Sequence, residues 1–180
     1  MNASVIRSLV VSALTGQTLA EDRVYSPRDW PTTTPDYPVL LVQTPYEEKQ
    51  SMGRNAPQFT TFTTIRISGR VEAFDGDELD GAIRAEALLE TLREQLDRTV
   101  INSYELTRQV QQFKSIRSAI DVNAAGEGHT GQLTYEIDVE YFQGPDDFFP
   151  VTPTPVDEVA ITIAMPDGTT EPVVVVPLKE

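Results

Sequence analysis

One long alternating segment constrains the fold more than any other part of this sequence. From Phe59 to Phe74 the odd positions are mainly apolar and the even positions are mainly polar, in the order FTTFTTIRISGRVEAF. This period of two is typical of a half-buried β-strand. Sixteen residues would span about 50 Å, whereas a typical strand has about 5–6 residues. The segment therefore predicts a strand that is bent, or one that extends past its own sheet as part of a protruding hairpin.

A second apolar segment precedes the long strand and predicts its hairpin partner. Residues 39–44 have the sequence VLLVQT, which is typical of a central strand, and residues 46–52 continue it after an irregularity at Pro45. The sequence GRNAPQ at residues 53–58 is typical of a turn. Together, residues 39–74 predict one extended hairpin.

Two helices are expected to pack on the sheet. Residues 2–15 carry apolar side chains at helical spacing, with Asn2 or Ser4 as the N-cap and Gly16 suited to a left-handed C-terminal position. A longer helix is expected from about Glu78 to Arg98, with acidic residues on its solvent side. Its buried stripe is predicted to consist of Leu79, Ile83, Ala87, Leu88, Leu92 and Leu96.

A second pair of strands is predicted at about Val110–Val122 and Gln132–Phe142. The glycine-rich link between them contains His129, the only histidine, which we interpret as an exposed loop residue. The fold class is therefore predicted to be α+β, a mainly antiparallel β-sheet flanked by two principal α-helices. The long protruding hairpin and a C-terminal β-hairpin extension complete this predicted architecture.

The proline distribution predicts the domain boundaries. Six prolines lie at or before Pro57 and seven lie at or after Pro145, with none between. We expect an α+β domain over residues 1–143, a proline-rich extended linker over 144–158 and a β-hairpin arm over 159–180. A Pro-Asp-Gly turn joins the two β-rich segments of the arm.

The composition disfavours several classes of function. A net charge of −14 opposes binding to nucleic-acid phosphates. The absence of cysteine excludes disulfides, thiolate zinc sites and a cysteine nucleophile, and it fits assembly in a cytoplasm. The sequence contains no phosphate loop, dinucleotide fingerprint, GxSxG or HExxH motif. We therefore expect no enzymatic activity, no catalytic residues, no bound metal, no cofactor and no membrane span.

The candidate functional residues are interface residues instead. Phe148 and Phe149 form an apolar pair that either pins the linker to its own domain or docks in a neighbour. Residues 173–176 are all valine, which as an exposed strand edge would promote aggregation, so the arm needs a cover. The candidate interface residues are Arg66, Arg70, Phe148, Phe149, Ile161, Ile163, Val173 and Val175.

Three short segments carry a resemblance to a known family. They are Asp36-Tyr37-Pro38-Val39, Asp77-Glu78-Leu79-Asp80 and Leu133-Thr134-Tyr135-Glu136-Ile137. With the order of helix, strands and helix around them, over roughly residues 2–142, the chain resembles the lambda-type tail terminator proteins of long-tailed bacteriophages. The resemblance implies an α+β fold and a homohexameric ring that caps the tail tube, ends its polymerisation and offers a surface to the head–tail connector of the neck.

Further expectations follow from this resemblance. The protein would be part of the virion, assembled in the bacterial cytoplasm, and DNA would pass through an acidic ring without specific binding. Arg66 and Arg70 would be candidates for pairing with an acidic neighbouring subunit. The smaller family members do not generally carry the chain after Gly144; we expect it to add strands to a neighbouring subunit or to a sheath protein. The alternatives are another neck or head–tail joining protein, a small binding module that uses the arm as its recognition edge, and an enzyme.

Overall fold

One sheet and the helices on it account for most of the regular structure in the computed structural model. The structure describes residues 1–26, 36–54, 57–76, 80–125, 128–149, 158–161 and 174–177. The chain divides into two compact units, Met1–Phe148 and Phe149–Glu180.

The described residues form seven strands and four helices. The strands are β1 (Val24–Tyr25), β2 (Val39–Ser51), β3 (Phe59–Ala73), β4 (Gln112–Ala125), β5 (Gly128–Gln143), β6 (Glu158–Ile161) and β7 (Val174–Pro177). The helices are α1 (Ala3–Leu14), α2 (Gly81–Ile101), α3 (Tyr104–Thr107) and α4 (Pro145–Phe148). No helix within the described ranges is both long and apolar enough to cross a membrane.

The first five strands form one sheet in the order β1-β2-β3-β5-β4. Only the short β1 is parallel to its neighbour; the other pairs are antiparallel. Strands β6 and β7 form a separate antiparallel pair in the second unit. The predicted α+β class, with a mainly antiparallel sheet and a C-terminal hairpin, is confirmed.

The long strand β3 uses its length inside the sheet. Each residue from Phe59 to Ala73 is opposite a residue of β5, from Gln143 to His129. On its other side β3 forms the predicted hairpin with β2, whose register shifts between Gln43 and Tyr46. Pro45 lies in this shift, where its missing N–H costs no ladder hydrogen bond. The strand therefore does not extend past β5, because β5 is equally long.

The helices cover one face of this sheet. The odd residues of β3 point toward them, and Ile65, Ile67 and Val71 are buried in the same apolar core as α1 and α2. Gly69 lies beneath this contact; a Cβ there would stand 3.6 Å from Leu92 and 3.4 Å from Leu40. These are ordinary van der Waals distances; the close approach of α2 needs a glycine at Gly131 instead, where a Cβ would stand 2.7 Å from Leu89.

The ends of α1 follow the sequence prediction. The Asn2 side chain accepts a hydrogen bond from the Val5 N–H at 3.0 Å, so Asn2 rather than Ser4 is the N-cap. Gly16 follows the helix with φ of +72°, a conformation that glycine adopts without steric cost.

The predicted buried stripe of α2 is partly wrong. Leu92 and Leu96 are buried, but Ile83 is 54 % exposed and Ala87 also faces solvent; Leu79 lies outside the described residues. The helix begins at Gly81, which packs closely against Phe74 and His129. That contact fixes the rotation of the helix. Its buried residues are therefore Gly81, Ala85, Leu89, Leu92, Leu96 and Val100.

Residues 145–148 of the predicted extended linker are helical instead. Pro145–Phe148 forms the short helix α4, where the Asp147 carboxylate accepts a hydrogen bond from the Gly144 N–H at 3.0 Å and pairs with the Met1 ammonium. The Phe148 ring packs edge-on against Phe59, with centroids 5.5 Å apart. These contacts hold α4 within the first unit. Residues 150–157 lie outside the described part of the chain.

Substitutions on α2 test its observed rotation. Leu89→Ala should lower the free energy of unfolding by about 2–5 kcal/mol, because it empties a fully buried position. Ile83→Ala should change it by less than about 0.5 kcal/mol, because Ile83 faces solvent. Urea unfolding followed by circular dichroism measures both; equal losses would contradict the observed orientation of the helix.

Candidate interaction surface

The sheet has a second face on which no helix of the described chain packs. Side chains at even positions of β3 point to this side, together with their cross-strand neighbours on β4 and β5. They are partly exposed, in contrast to the buried odd positions. We call this surface the open face and define it by Phe62, Thr64, Arg66, Ser115, Arg117, Glu136 and Asp138.

Ion pairs across three strands dominate the open face. The register places Arg66 of β3 and Arg117 of β4 on opposite sides of Glu136. The Arg66 Nε and Nη2 atoms lie 2.9 and 2.8 Å from Glu136 Oε1. Arg117 reaches Glu136 Oε2 at 3.4 Å and Asp138 Oδ2 at 2.9 Å. Two arginines therefore neutralise two carboxylates, and Arg66, a predicted interface residue, has its acidic partner in its own chain.

Asp138 is the most strongly held carboxylate of the open face. It accepts hydrogen bonds from Thr64 Oγ1 and Ser115 Oγ, both at 2.7 Å, and from Arg117. Partial burial raises the pKa of Asp138, but these three hydrogen bonds outweigh burial and hold the pKa below its usual value. The carboxylate is therefore ionised over the whole neutral range.

An amphipathic cleft lies at the end of the open face nearest the β2–β3 turn. The Lys114 Nζ atom stands 4.3 Å from the centroid of the Phe62 ring, in a cation–π contact. Tyr46 is 57 % exposed and donates a hydrogen bond to Glu48 at 3.1 Å. These residues border a cleft of about 330 Å³. The cleft combines aromatic and charged side chains, which is typical of protein interaction surfaces.

Arg70, the other predicted arginine, lies on the same side of β3 as the open face but four residues beyond Arg66. It is opposite Val39 of β2 and Gln132 of β5. With Tyr37, Asp121 and other polar residues it lines a second cleft of about 200 Å³. The two predicted arginines therefore share one face of β3 and border different parts of it.

The interpretation of His129 as an exposed loop residue is wrong. His129 belongs to β5, opposite Ala73 and Ala124, and its side chain is only 21 % exposed. Both strands extend into the segment that was predicted to be a glycine-rich turn. A signal was present in the sequence, because His129 is in phase with the buried Gly131 and Leu133.

Two carboxylates surround His129 at the start of α2. Its Nε2 atom lies 3.4 Å from Asp75 Oδ1 and 3.8 Å from Asp80 Oδ1, within the spacing that metal ligands need. However, Asp75 accepts the Gly81 N–H and Asp80 accepts the Ala82 N–H, each at 2.8 Å. The positive end of the α2 dipole also opposes a cation at this position. We therefore assign this cluster to capping of α2.

A partly exposed polar network lies on the helix-covered side of the sheet, near the β2–β3 turn. Tyr141 donates to Glu47 at 2.9 Å and contacts the hydroxyl of Thr63 at 3.1 Å. Lys49 pairs with Glu47 and donates to Gln143 at 2.6 Å. Burial and then the Glu47 carboxylate raise the pKa of Tyr141 to about 12. The network joins the far half of β2 to β3 and β5, which is a structural role.

The remaining predicted interface residues all lie after residue 147 of the sequence. Phe148 contacts Phe59 in its own unit, whereas Phe149 is 67 % exposed. Ile161 lies in β6 and Val175 in β7. Ile163 and Val173 lie outside the described residues.

The residues that join the three strands were not among the interface residues predicted from the sequence; they are Lys114, Arg117, Glu136 and Asp138. The alternation of Glu136, Asp138 and Glu140 did mark an acidic stripe on one face of a strand. It could not show that arginines of β3 and β4 lie on both sides of that stripe, because this depends on strand order.

The sequence matches no protein-family model and no curated protein.

The lowered pKa of Asp138 predicts a specific acid sensitivity. Because the pKa is lower in the folded than in the unfolded state, the unfolded state binds more protons as the pH falls below about 4. Stability from this group is therefore present at neutral pH and lost at acid pH. Asp138→Asn should show a shallower loss of stability between about pH 5 and 2, measured by urea unfolding at each pH. Thr64→Val, which removes one donor, should lie between the two proteins; identical acid profiles would contradict the proposed cause.

Proposed function

We propose that this protein is a phage tail terminator, a structural subunit of a ring that caps the tail tube, ends tail polymerisation and provides the head–tail joining surface. A hexamer is the expected ring. The observation that carries the proposal is the open face, a broad polar surface with locally balanced charge on an otherwise acidic chain.

The charge balance explains why this face suits contacts between copies. Copies of a chain with net charge −14 repel one another in solution. On the open face, Arg66 and Arg117 offset Glu136 and Asp138. Two acidic subunits can therefore approach through the centre of this face, where these four charges are paired.

The fold supports the same proposal. The family resemblance implies helices packed on a mainly antiparallel sheet, and this chain has that arrangement. The segments that carry the resemblance also have defined roles, since Val39 opens β2, Asp80 caps α2 and residues 133–137 lie in the centre of β5.

The remaining acidic surface fits the path of DNA. Like-charge repulsion between an acidic lumen and DNA phosphates would prevent adhesion during passage. The partners in this proposal are other copies of the chain, the tail tube protein and the head–tail connector of the neck. The protein would act within the virion, without catalysis and without a membrane.

A second candidate function is a monomeric binding module. The separate two-stranded unit of β6 and β7 favours it, because an isolated hairpin can recognise a partner by strand addition.

Particle mass and negative-stain images, with and without the tail tube protein from the same source, distinguish these two functions. The tail terminator should form a ring that seats on the end of the tube. A protein that stays monomeric and does not bind the tube would overturn the proposal and favour the binding module.

A matched pair of charge reversals tests the role of the open face. Arg117→Glu should weaken ring formation at least tenfold, because it leaves the carboxylates of this face unbalanced. Arg108→Glu, directly after α3, is the control, since it makes the same change in net charge at a side chain that is equally exposed, 55 % against 56 %. Sedimentation at several protein concentrations measures both variants. Equal effects would show that total charge, and not this face, governs assembly.

A further inference from the structure

The five-stranded sheet has two outer edges that differ in chemistry. At one edge, β1 pairs with β2 only at Leu40 and Leu41. At the other edge, no strand in the described ranges pairs with the outer side of β4. Each bare edge exposes backbone N–H and C=O groups that can accept another strand.

The edge at β2 is protected against strand addition. Pro45 removes a backbone donor, and the register shift between Gln43 and Tyr46 distorts the strand there. The following residues Glu47, Glu48 and Lys49 add charge. Proteins use these three features to prevent edge-to-edge pairing.

Over residues 115–125, the edge at β4 has neither the proline nor the register shift that protects β2. After a shift between Phe113 and Ser115, its register is regular to Ala125, and residues 115–125 contain neither proline nor glycine. On the helix-covered side, Ile116 is 38 % exposed and Ile120 and Val122 are only partly buried. A strand added at this edge would cover those apolar side chains.

The arm formed by β6 and β7 is too small to be stable as an isolated sheet, so pairing with another strand would stabilise it. Each strand has four residues, and by sequence both strands are mainly apolar, EVAI and VVVP. A two-stranded sheet of this size is marginal in water. Residues 149–180 contain five acidic residues and one lysine. On β4, Arg117 is already paired with Glu136 and Asp138, whereas Lys114 lies over the Phe62 ring. Pairing geometry therefore suits the arm to this edge, and Lys114 can attract its acidic residues.

We propose that the β6–β7 arm of one copy adds to the outer edge of β4 in a second copy. This inference rests on the proposed ring and names the contact that closes it. The contact is heterologous, because each subunit gives an arm and offers an edge. Such contacts generate a ring when the rotation between subunits closes. The arrangement also places Arg117 and the open face beside the subunit contact.

Cross-linking between two single-cysteine variants tests the pairing, since the chain has no native cysteine. Ala119→Cys places a thiol on β4, and Val175→Cys places one on β7. A mixture of the two variants, treated with a short bis-maleimide linker, should give a covalent heterodimer. Its yield should be far higher than the yield of the covalent homodimer that either variant forms alone. A linker tolerates the unknown register of the added strand. Absence of the heterodimer, or a double variant that cross-links only within one chain, would overturn the proposal.

Two lysine substitutions on β4 provide the matched control. Ile116→Lys puts a charge on the apolar side of the edge and should reduce the heterodimer at least tenfold. Ala119→Lys puts the same charge on the opposite side of the same strand, so the thiol moves to Ser118 for this variant. The yield of heterodimer should fall much less than with Ile116→Lys. Circular dichroism confirms that both variants fold. Rings that seat on the tail tube without the heterodimer would overturn the arm contact alone; absence of any oligomer would overturn the proposed function as well.

Discussion

The structure depends on the uninterrupted pairing of β3 with β5. This register opposes Ile65 with Ile137 toward the core and Arg66 with Glu136 on the open face. A slip by one residue would expose the apolar side chains and bury the charged ones. Polar contacts on both faces oppose such a slip, namely the ion pairs of Glu136 and the network around Tyr141. The same pairing thus fixes the hydrophobic core and creates the candidate interaction surface.

The two faces of the sheet consequently have different roles. The helix-covered face is closed by α1 and α2, and its polar end is satisfied internally through Glu47 and Tyr141. The open face keeps its charges paired but accessible, and it adjoins the bare edge of β4. In the proposed ring, these two adjacent surfaces would act together, because a strand added to β4 brings the neighbouring subunit beside Arg117.

Much of the fold could be predicted because alternation and helical spacing are local signals. The hairpin of β2 and β3, the strand at residues 132–142 and helix α1 follow directly from them. The stripe of α2 was mispredicted because that helix has apolar residues on more than one side, including the exposed Ile83. The close contact of Gly81 with His129 selects which side is buried, and neither partner was assigned to that contact from the sequence.

The sequence by itself determined the α+β class, the long hairpin and which side of each long strand is polar. Tertiary structure alone decided which polar side chains meet. Arg66 and Glu136 are 70 residues apart in the chain, and a period of two reports the face of a strand but not the identity of its neighbour. The strand order therefore places the acidic stripe of β5 between arginines of β3 and β4, so that their charges are paired. It also leaves β4, and not β3, at the edge where another chain can bind.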